Sequence, residues 1–254
     1  MPPVSKKRLC SGLENSLPLL ICLLLVYLLL NGCATPTSDP RRPPQYDPLT
    51  SAALSAIRNP NPTLSTFKGI GTYRLSGQDR NFSGRMAWAV QLPDRMRIAI
   101  LDATGKPLTV VATDGQWLYV DARREDQFYK KRAGSVSLEK MVGIDISVEE
   151  VITVLTGGVP IEPHRLAQLI NDTKADGCRI ELFGRAEHPV QNIWCQNTIN
   201  RYAAERFTVF QKNSDIRYEV ELNGAKSVGE ATFFQTIVFS DHHNRFRLEI
   251  DRIW

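Results

Sequence analysis

The sequence predicts a mainly β, α+β domain: an antiparallel sheet of about eleven strands with helices inserted near its middle. Three observations predict it. Apolar and polar residues alternate at period two through most of the chain after Phe67, turn residues separate these runs, and the period becomes helical only between Leu138 and Leu155. Period-two alternation buries one face of a strand and leaves the other in water, as in antiparallel sheets.

The elements follow in order. Asp47-Pro48 opens a helix, with Asp as N-cap and Pro at the first helical position, where its missing N–H is no loss. Leu49, Ala53, Ala56 and Ile57 recur at helical spacing, and Asn59-Pro60-Asn61-Pro62 ends the run. Next, Phe82, Gly84, Met86, Trp88 and Val90 face one way, and Ser83, Arg85 and Gln91 the other, with the small Ala87 and Ala89. Leu92-Pro93-Asp94-Arg95 is a turn, after which Met96, Ile98 and Ile100 alternate with Arg95, Arg97 and Ala99. Asp114-Gly115 joins strands over 109–112 and 116–120 as a hairpin.

The middle is helical. Leu138, Met141 and Val142 mark a short segment. Ser147 and Glu150 then form a capping box, followed by a stripe of Val148, Val151, Ile152 and Leu155, and Gly157-Gly158 and Pro160 stop the helix. Strands resume over 177–183, 190–196, 205–211, 216–223, 233–240 and 245–252. In the last, Phe246, Leu248 and Ile250 face away from Arg245, Arg247, Glu249 and Asp251.

Ahead of this domain lies an export signal. Lys6, Lys7 and Arg8 precede an apolar run of 14 residues, Leu17 to Leu30. A membrane span needs about 20 such residues and a signal h-region roughly 7–15, so the run is a signal peptide. It ends in Leu30-Asn31-Gly32-Cys33, which resembles the bacterial lipobox. That resemblance implies cleavage before Cys33 and lipidation of Cys33. Several acyl chains on one residue make a stable membrane anchor where one chain alone does not. Ala34, in place of the Asp that holds such lipoproteins at the inner membrane, implies the periplasmic side of the outer membrane. The expected organisation is a signal peptide over 1–32, a lipidated tether over 33–48 rich in Pro, and a single domain over 49–254.

Composition narrows the function. Of the 254 residues, 43% are apolar and 23% charged, as in ordinary folded proteins. The signal segment holds a net +2 in Lys6, Lys7, Arg8 and Glu14, so only +2 of the chain's +4 remains in the mature part. That balance does not suggest nucleic acid.

The run Arg95-Met96-Arg97-Ile98-Ala99-Ile100-Leu101, the helical segments from Leu138 to Gly143 and Val151 to Pro160, and the terminal Asn244-Arg245-Phe246-Arg247-Leu248-Glu249-Ile250-Asp251 together resemble the lipoprotein carriers and receptors LolA and LolB, with the closest likeness to the lipidated receptors, LolB. The resemblance spans roughly 54–254 and rests on pattern rather than on invariant motifs. It implies an incomplete antiparallel β-barrel with helices closing an apolar cavity for acyl chains or lipoproteins. The implied protein is a monomeric, non-enzymatic carrier or receptor without cofactor, partnered by a periplasmic carrier protein. The alternative is a structural lipoprotein that uses the same fold to hold a partner protein. Candidate cavity residues are Met86, Trp88, Ile98, Ile100, Phe246, Leu248 and Ile250 on strands, with Leu138, Met141, Ile152 and Leu155 on the covering helices. Each is equally at home in a packed core. In the receptors an exposed apolar side chain on the loop after the third strand helps insertion. Here that loop is the polar Asp102-Ala103-Thr104-Gly105-Lys106-Pro107.

Other chemistry is sparse. Cys178 and Cys195, on strands flanking a turn in an oxidising compartment, favour a disulfide over two buried thiols. No Cys or His spacing suggests a metal, and no nucleophile or phosphate-loop motif is present. His242-His243 is a polar turn pair. Arg123-Arg124 and Lys130-Lys131-Arg132 form a solvated face, with contact to anionic headgroups as the sharper reading. Replacing Cys33 by Ser should leave an unlipidated, uncleaved precursor. The check is incorporation of radiolabelled palmitate, which the parent protein should take up and Cys33→Ser should not.

Overall fold

The computed structural model describes residues 46–77, 81–123, 126–171, 177–198 and 201–254. The signal peptide, Cys33 and the tether up to residue 45 lie outside the described residues. Residues 44–254 form a compact unit of their own.

Thirteen strands make one open antiparallel sheet. They are β1 (Thr66–Gly77), β2 (Asn81–Gln91), β3 (Arg95–Leu101), β4 (Pro107–Asp114), β5 (Trp117–Ala122), β6 (Gln127–Arg132), β7 (Leu166–Asn171), β8 (Gly177–Phe183), β9 (Pro189–Thr198), β10 (Arg201–Phe210), β11 (Ile216–Val228), β12 (Ala231–Ser240) and β13 (Asn244–Ile253). The order across the sheet is β6-β5-β4-β3-β2-β1-β13-β12-β11-β10-β9-β8-β7. Two meanders therefore meet where the first strand pairs with the last, and the edges, β6 and β7, come from mid-chain. The expected eleven strands become thirteen because these edges carried no readable pattern. Every residue of β6 is exposed, so it has no buried face to alternate against.

The chain between the edges carries a 3-10 turn (Ala133–Ser135) and two helices. We number the helices α1 (Pro48–Arg58), α2 (Glu139–Val142) and α3 (Val148–Leu155). Asp47 caps α1 by accepting hydrogen bonds from the Thr50 amide and hydroxyl at 2.9 and 2.6 Å. The buried stripe of α1 is Thr50, Ala53, Leu54 and Ile57, while Leu49 is exposed. The expected stripe was thus rotated: Leu54, one turn on from Thr50, takes the core position assigned to Leu49. At α3 both halves of the capping box form, Ser147 Oγ to the Glu150 amide at 3.2 Å and Glu150 Oε2 to the Ser147 amide at 2.7 Å.

One buried cluster runs through both meanders and the helices. The inner face of β2 gives Met86, Trp88 and Val90 to it, whereas Phe82, near the strand's start, is exposed. Cys178 and Cys195 are direct cross-strand partners on β8 and β9, with Cα atoms 5.0 Å apart, and are joined by a disulfide.

Strand β1 must accept neighbours on both sides, and two glycines let it. Gly69 lies under the Trp88 ring, where a Cβ would come within 2.3 Å of an indole carbon. At Gly71, beside a register shift in the β1–β13 pairing, a Cβ would meet the Glu249 carbonyl oxygen at 2.3 Å. A backbone carbonyl in a ladder cannot move aside as a side-chain end can. Gly71→Ala should therefore destabilise the domain by about 1–3 kcal/mol, read as a lower urea midpoint. An unchanged midpoint would show that the β1–β13 seam yields enough to admit a methyl group at residue 71.

Candidate ligand-binding face

The inner face is apolar because the strands between the edges turn alternate apolar residues toward it. Of the cavity candidates, Met86, Trp88, Leu138, Ile152, Leu155, Phe246 and Leu248 are buried in the common cluster. Ile98, Ile100 and Ile250 pack against it from partly exposed positions. The Met141 side chain lies outside the described residues. Ile98 and Ile100 are the direct partners of Trp88 and Met86. Together they carry the apolar surface from the closed core to its margin. The Trp88 indole Nε1 is buried without a hydrogen-bond partner among the described residues. Buried donors are nearly always satisfied, so this one asks for an acceptor.

Polar groups that sequence patterning did not single out hold α3 on this face. At its N-terminus, Glu150 Oε1 accepts from the Arg217 guanidinium and, at 2.8 Å, from the Tyr218 hydroxyl. Arg217 also reaches Glu162, beyond the helix, at 3.1 Å. At the other end, Asn61 Nδ2 donates to the carbonyls of Thr156 and Thr232, both at 2.8 Å, and Asn61 Oδ1 accepts from the Thr232 amide. The fully buried Gln191 donates to the Pro160 carbonyl at 2.8 Å and accepts from the Glu162 amide. Helix α2 is one turn long and capped by Gly143 in the left-handed region. Asn244 ties it to the sheet, its Nδ2 donating to the Gly143 carbonyl at 2.7 Å.

Burial raises the Glu162 carboxyl above the ordinary glutamate range, although Arg217 opposes the shift. Burial likewise pushes the Tyr218 hydroxyl well up, so it stays protonated and donates to Glu150. Among the described residues no group of three or more His, Cys, Asp or Glu could hold a metal ion. The loop after β3 is tied by Asp102 Oδ1, which accepts from the Thr104 amide and hydroxyl at 2.8 Å and from the Lys106 amide at 2.9 Å.

No protein-family model matches the chain, and no curated protein does. Solved structures do. A LolA superfamily protein from Nitrosomonas europaea superposes with a TM-score of 0.53 at 13% identity, over 81% of this chain and 91% of that one. A Vibrio parahaemolyticus domain named for outer membrane lipoprotein sorting gives 0.54 at 9% identity, over 75% and 85%. A DUF1329 family protein from Desulfovibrio piger gives 0.56 at 10% identity, over 82% and 93%. The fold is thus LolA-like.

The α3 clamp makes a prediction with a sign. Glu150→Gln leaves Arg217 and Tyr218 poorly matched in a mostly buried place and should cost about 3 kcal/mol. Glu162→Gln should cost less, and its cost should depend on pH. A carboxyl whose pKa is raised by folding stabilises the fold while protonated, and that contribution is lost as pH rises above the unfolded value. Relative to the parent, Glu162→Gln should therefore gain stability between about pH 4 and pH 7. Urea midpoints at both ends of that range check it; a relative loss would mean that the pairing with Arg217 outweighs burial.

Proposed function

We propose that this protein is a lipid-anchored carrier or receptor for acylated ligands, held on the periplasmic face of the outer membrane through Cys33. The observation that carries the reading is the inner face: an open sheet offers one apolar surface across both meanders, covered by short helices rather than by a second sheet. Acyl chains make no hydrogen bonds and are held by buried area, at about 0.8 kcal/mol per CH₂. The likeness in fold to a LolA superfamily protein and to a lipoprotein-sorting domain supports the same reading.

In this reading α3 is a fixed roof and α2 gives way. The roof is bound at both ends by buried polar side chains, whereas α2 is a single turn. An acyl chain enters beside Ile98 and Ile100, where the apolar face reaches the surface. The ester or amide carbonyl at the head of the chain accepts the hydrogen bond that the Trp88 indole N–H offers. The loop from Asp102 to Lys106 is polar and internally bonded, so hand-over of the ligand does not use an apolar tip there.

The test uses residues 44–254 and a fluorescent fatty acid. The parent should take up the probe saturably. Ile98→Glu and Ile100→Glu place a charge on the entry wall, at partly exposed positions that pack against the core, so urea midpoints are measured on the same variants. Each should weaken uptake at least about tenfold, since burying an unpaired charge exceeds 1.4 kcal/mol. Trp88→Ala should alter uptake too, but with a larger loss of stability, because the ring is buried. No uptake by the parent, with urea midpoints intact, would overturn the carrier and leave a scaffold that holds a partner protein.

A further inference from the structure

The outer face of the first meander carries a feature the carrier reading does not use. Direct partners across six strands run Lys68, Ala89, Arg97, Ala112, Tyr119, Lys130. A second row holds Gln91 beside Arg95, Asp114 beyond it, and Trp117 beside Arg132. These side chains point away from Met86, Trp88 and the rest of the core, because they occupy the alternate positions of the same strands.

Over this face, above the small Ala89, lies a groove of about 570 Å³. Lys68, Arg95, Arg97, Gln91 and Trp254 line it, with the strand segments at Phe67, Val90 and Met96 beneath them, and no Asp or Glu does. Lys68 sits 5.2 Å from the centre of the Trp254 ring, which is half exposed at 51%. Among the described residues, Lys68, Arg95 and Arg97 have no ion pair, although acidic groups lie nearby. Asp114, the register partner of Arg95, instead accepts from the amides of Gln116 and Trp117 and from the Tyr119 hydroxyl. Asp121 is paired with Arg123. Along the same rows, at the sheet edge, Lys130 lies 4.4 Å from the Trp117 ring and 5.5 Å from that of Tyr119, with Arg132 5.9 Å from Trp117. Phe128, beside Asp121 on this face, is 66% exposed.

We propose that this outer face docks on an anionic bilayer surface, with a phospholipid phosphate seated in the groove between Lys68, Arg95 and Arg97. Charge complementarity selects the occupant. Three unpaired cations in a groove without carboxylates suit a phosphodiester, and exposed Trp and Phe beside Lys and Arg suit the headgroup layer, where amphipathic rings and long cationic side chains both settle. A wholly aqueous anion would leave Trp254 and Phe128 unexplained. An acidic protein partner would match the charges but not the open aromatic edge. The surface lies on the opposite side of the sheet from the acyl-binding face, so the two proposals stand or fall separately.

The experiment is co-sedimentation of residues 44–254, which form a compact unit with its own core, with vesicles of phosphatidylcholine alone or of equal parts phosphatidylcholine and phosphatidylglycerol. Binding should require phosphatidylglycerol and weaken with salt. The triple variant Lys68→Gln, Arg95→Gln, Arg97→Gln should bind about a hundredfold more weakly, at roughly fivefold per cation. A control triple with the same loss of charge on the second meander and its turns, Arg185→Gln, Lys212→Gln, Lys226→Gln, should bind as the parent does. Should the groove triple unfold, Arg97→Gln alone should still show the fivefold loss. Equal weakening by both triples would overturn the site in favour of net charge. Displacement from vesicles by inorganic phosphate, but not by chloride at matched ionic strength, would overturn the bilayer in favour of a soluble anion. Retention on poly-glutamate as tight as on vesicles would overturn it in favour of an acidic protein.

Discussion

The pairing of the first strand with the last determines the rest of this architecture. Because β1 takes β2 on one side and β13 on the other, both free edges fall to strands from the middle of the chain. The segment between β6 and β7 must then travel from one edge of the sheet to the other. It does so across the inner face and covers it with α2 and α3. An antiparallel sheet joined at a different place would leave its termini at the edges and its inner face uncovered. Gly69 and Gly71 are small at this seam for that reason: one admits the Trp88 ring, the other the Glu249 carbonyl.

The cover is not uniform in strength. Three groups converge on the start of α3, and Glu150 serves two of them while closing its own capping box. Two carboxylates share one guanidinium there, which is why burial prevails at Glu162 while Arg217 holds both elements in place. A buried ion pair adds little net stability compared with apolar packing, but it fixes geometry, since breaking it strands a charge. The roof helix is thereby set in one orientation. The single turn of α2 is held instead by its left-handed Gly143 cap and by Asn244 donating to the Gly143 carbonyl.

Much of this was legible in local sequence. Asp47 before Pro48, and Ser147 with Glu150, are short-range signals whose hydrogen bonds span three residues, and both form. The strands with one buried face declared themselves by alternation. The rest was not legible, for two physical reasons. An edge strand exposed on both faces, such as β6, has no alternation to show, and its Lys and Arg resemble a loop. The clamps on α3 join residues far apart in the chain: Asn61 with Thr232, Glu150 with Arg217, Gln191 with Pro160. Nothing in the local pattern around Arg217 or Gln191 separates them from surface residues. The rotated stripe of α1 has a similar cause. Leu49 and Leu54 are equally apolar, and only the docking of α1 against β10 and β7 decides which is buried.

One periodicity writes both faces of the first meander, and this links the two proposed surfaces. Residues 86, 88 and 90 of β2 point into the core, while 87, 89 and 91 point out, and the register carries that parity from β1 to β6 along the rows through Lys68 and Arg95. A slip of one residue in any pairing would exchange the faces, sending Arg97 toward Trp88 and Met96 into water. Burying an unpaired guanidinium in an apolar cluster costs far more than one ladder can return. The apolar inner face therefore enforces the cationic outer one. Substitutions that preserve core packing cannot move Lys68, Arg95 or Arg97 out of their row. Conversely, those three can be changed without disturbing the inner face, because their side chains never enter it. The sheet separates the proposed acyl-binding surface from the proposed headgroup-binding surface by its own thickness, and each can change while the other keeps its register.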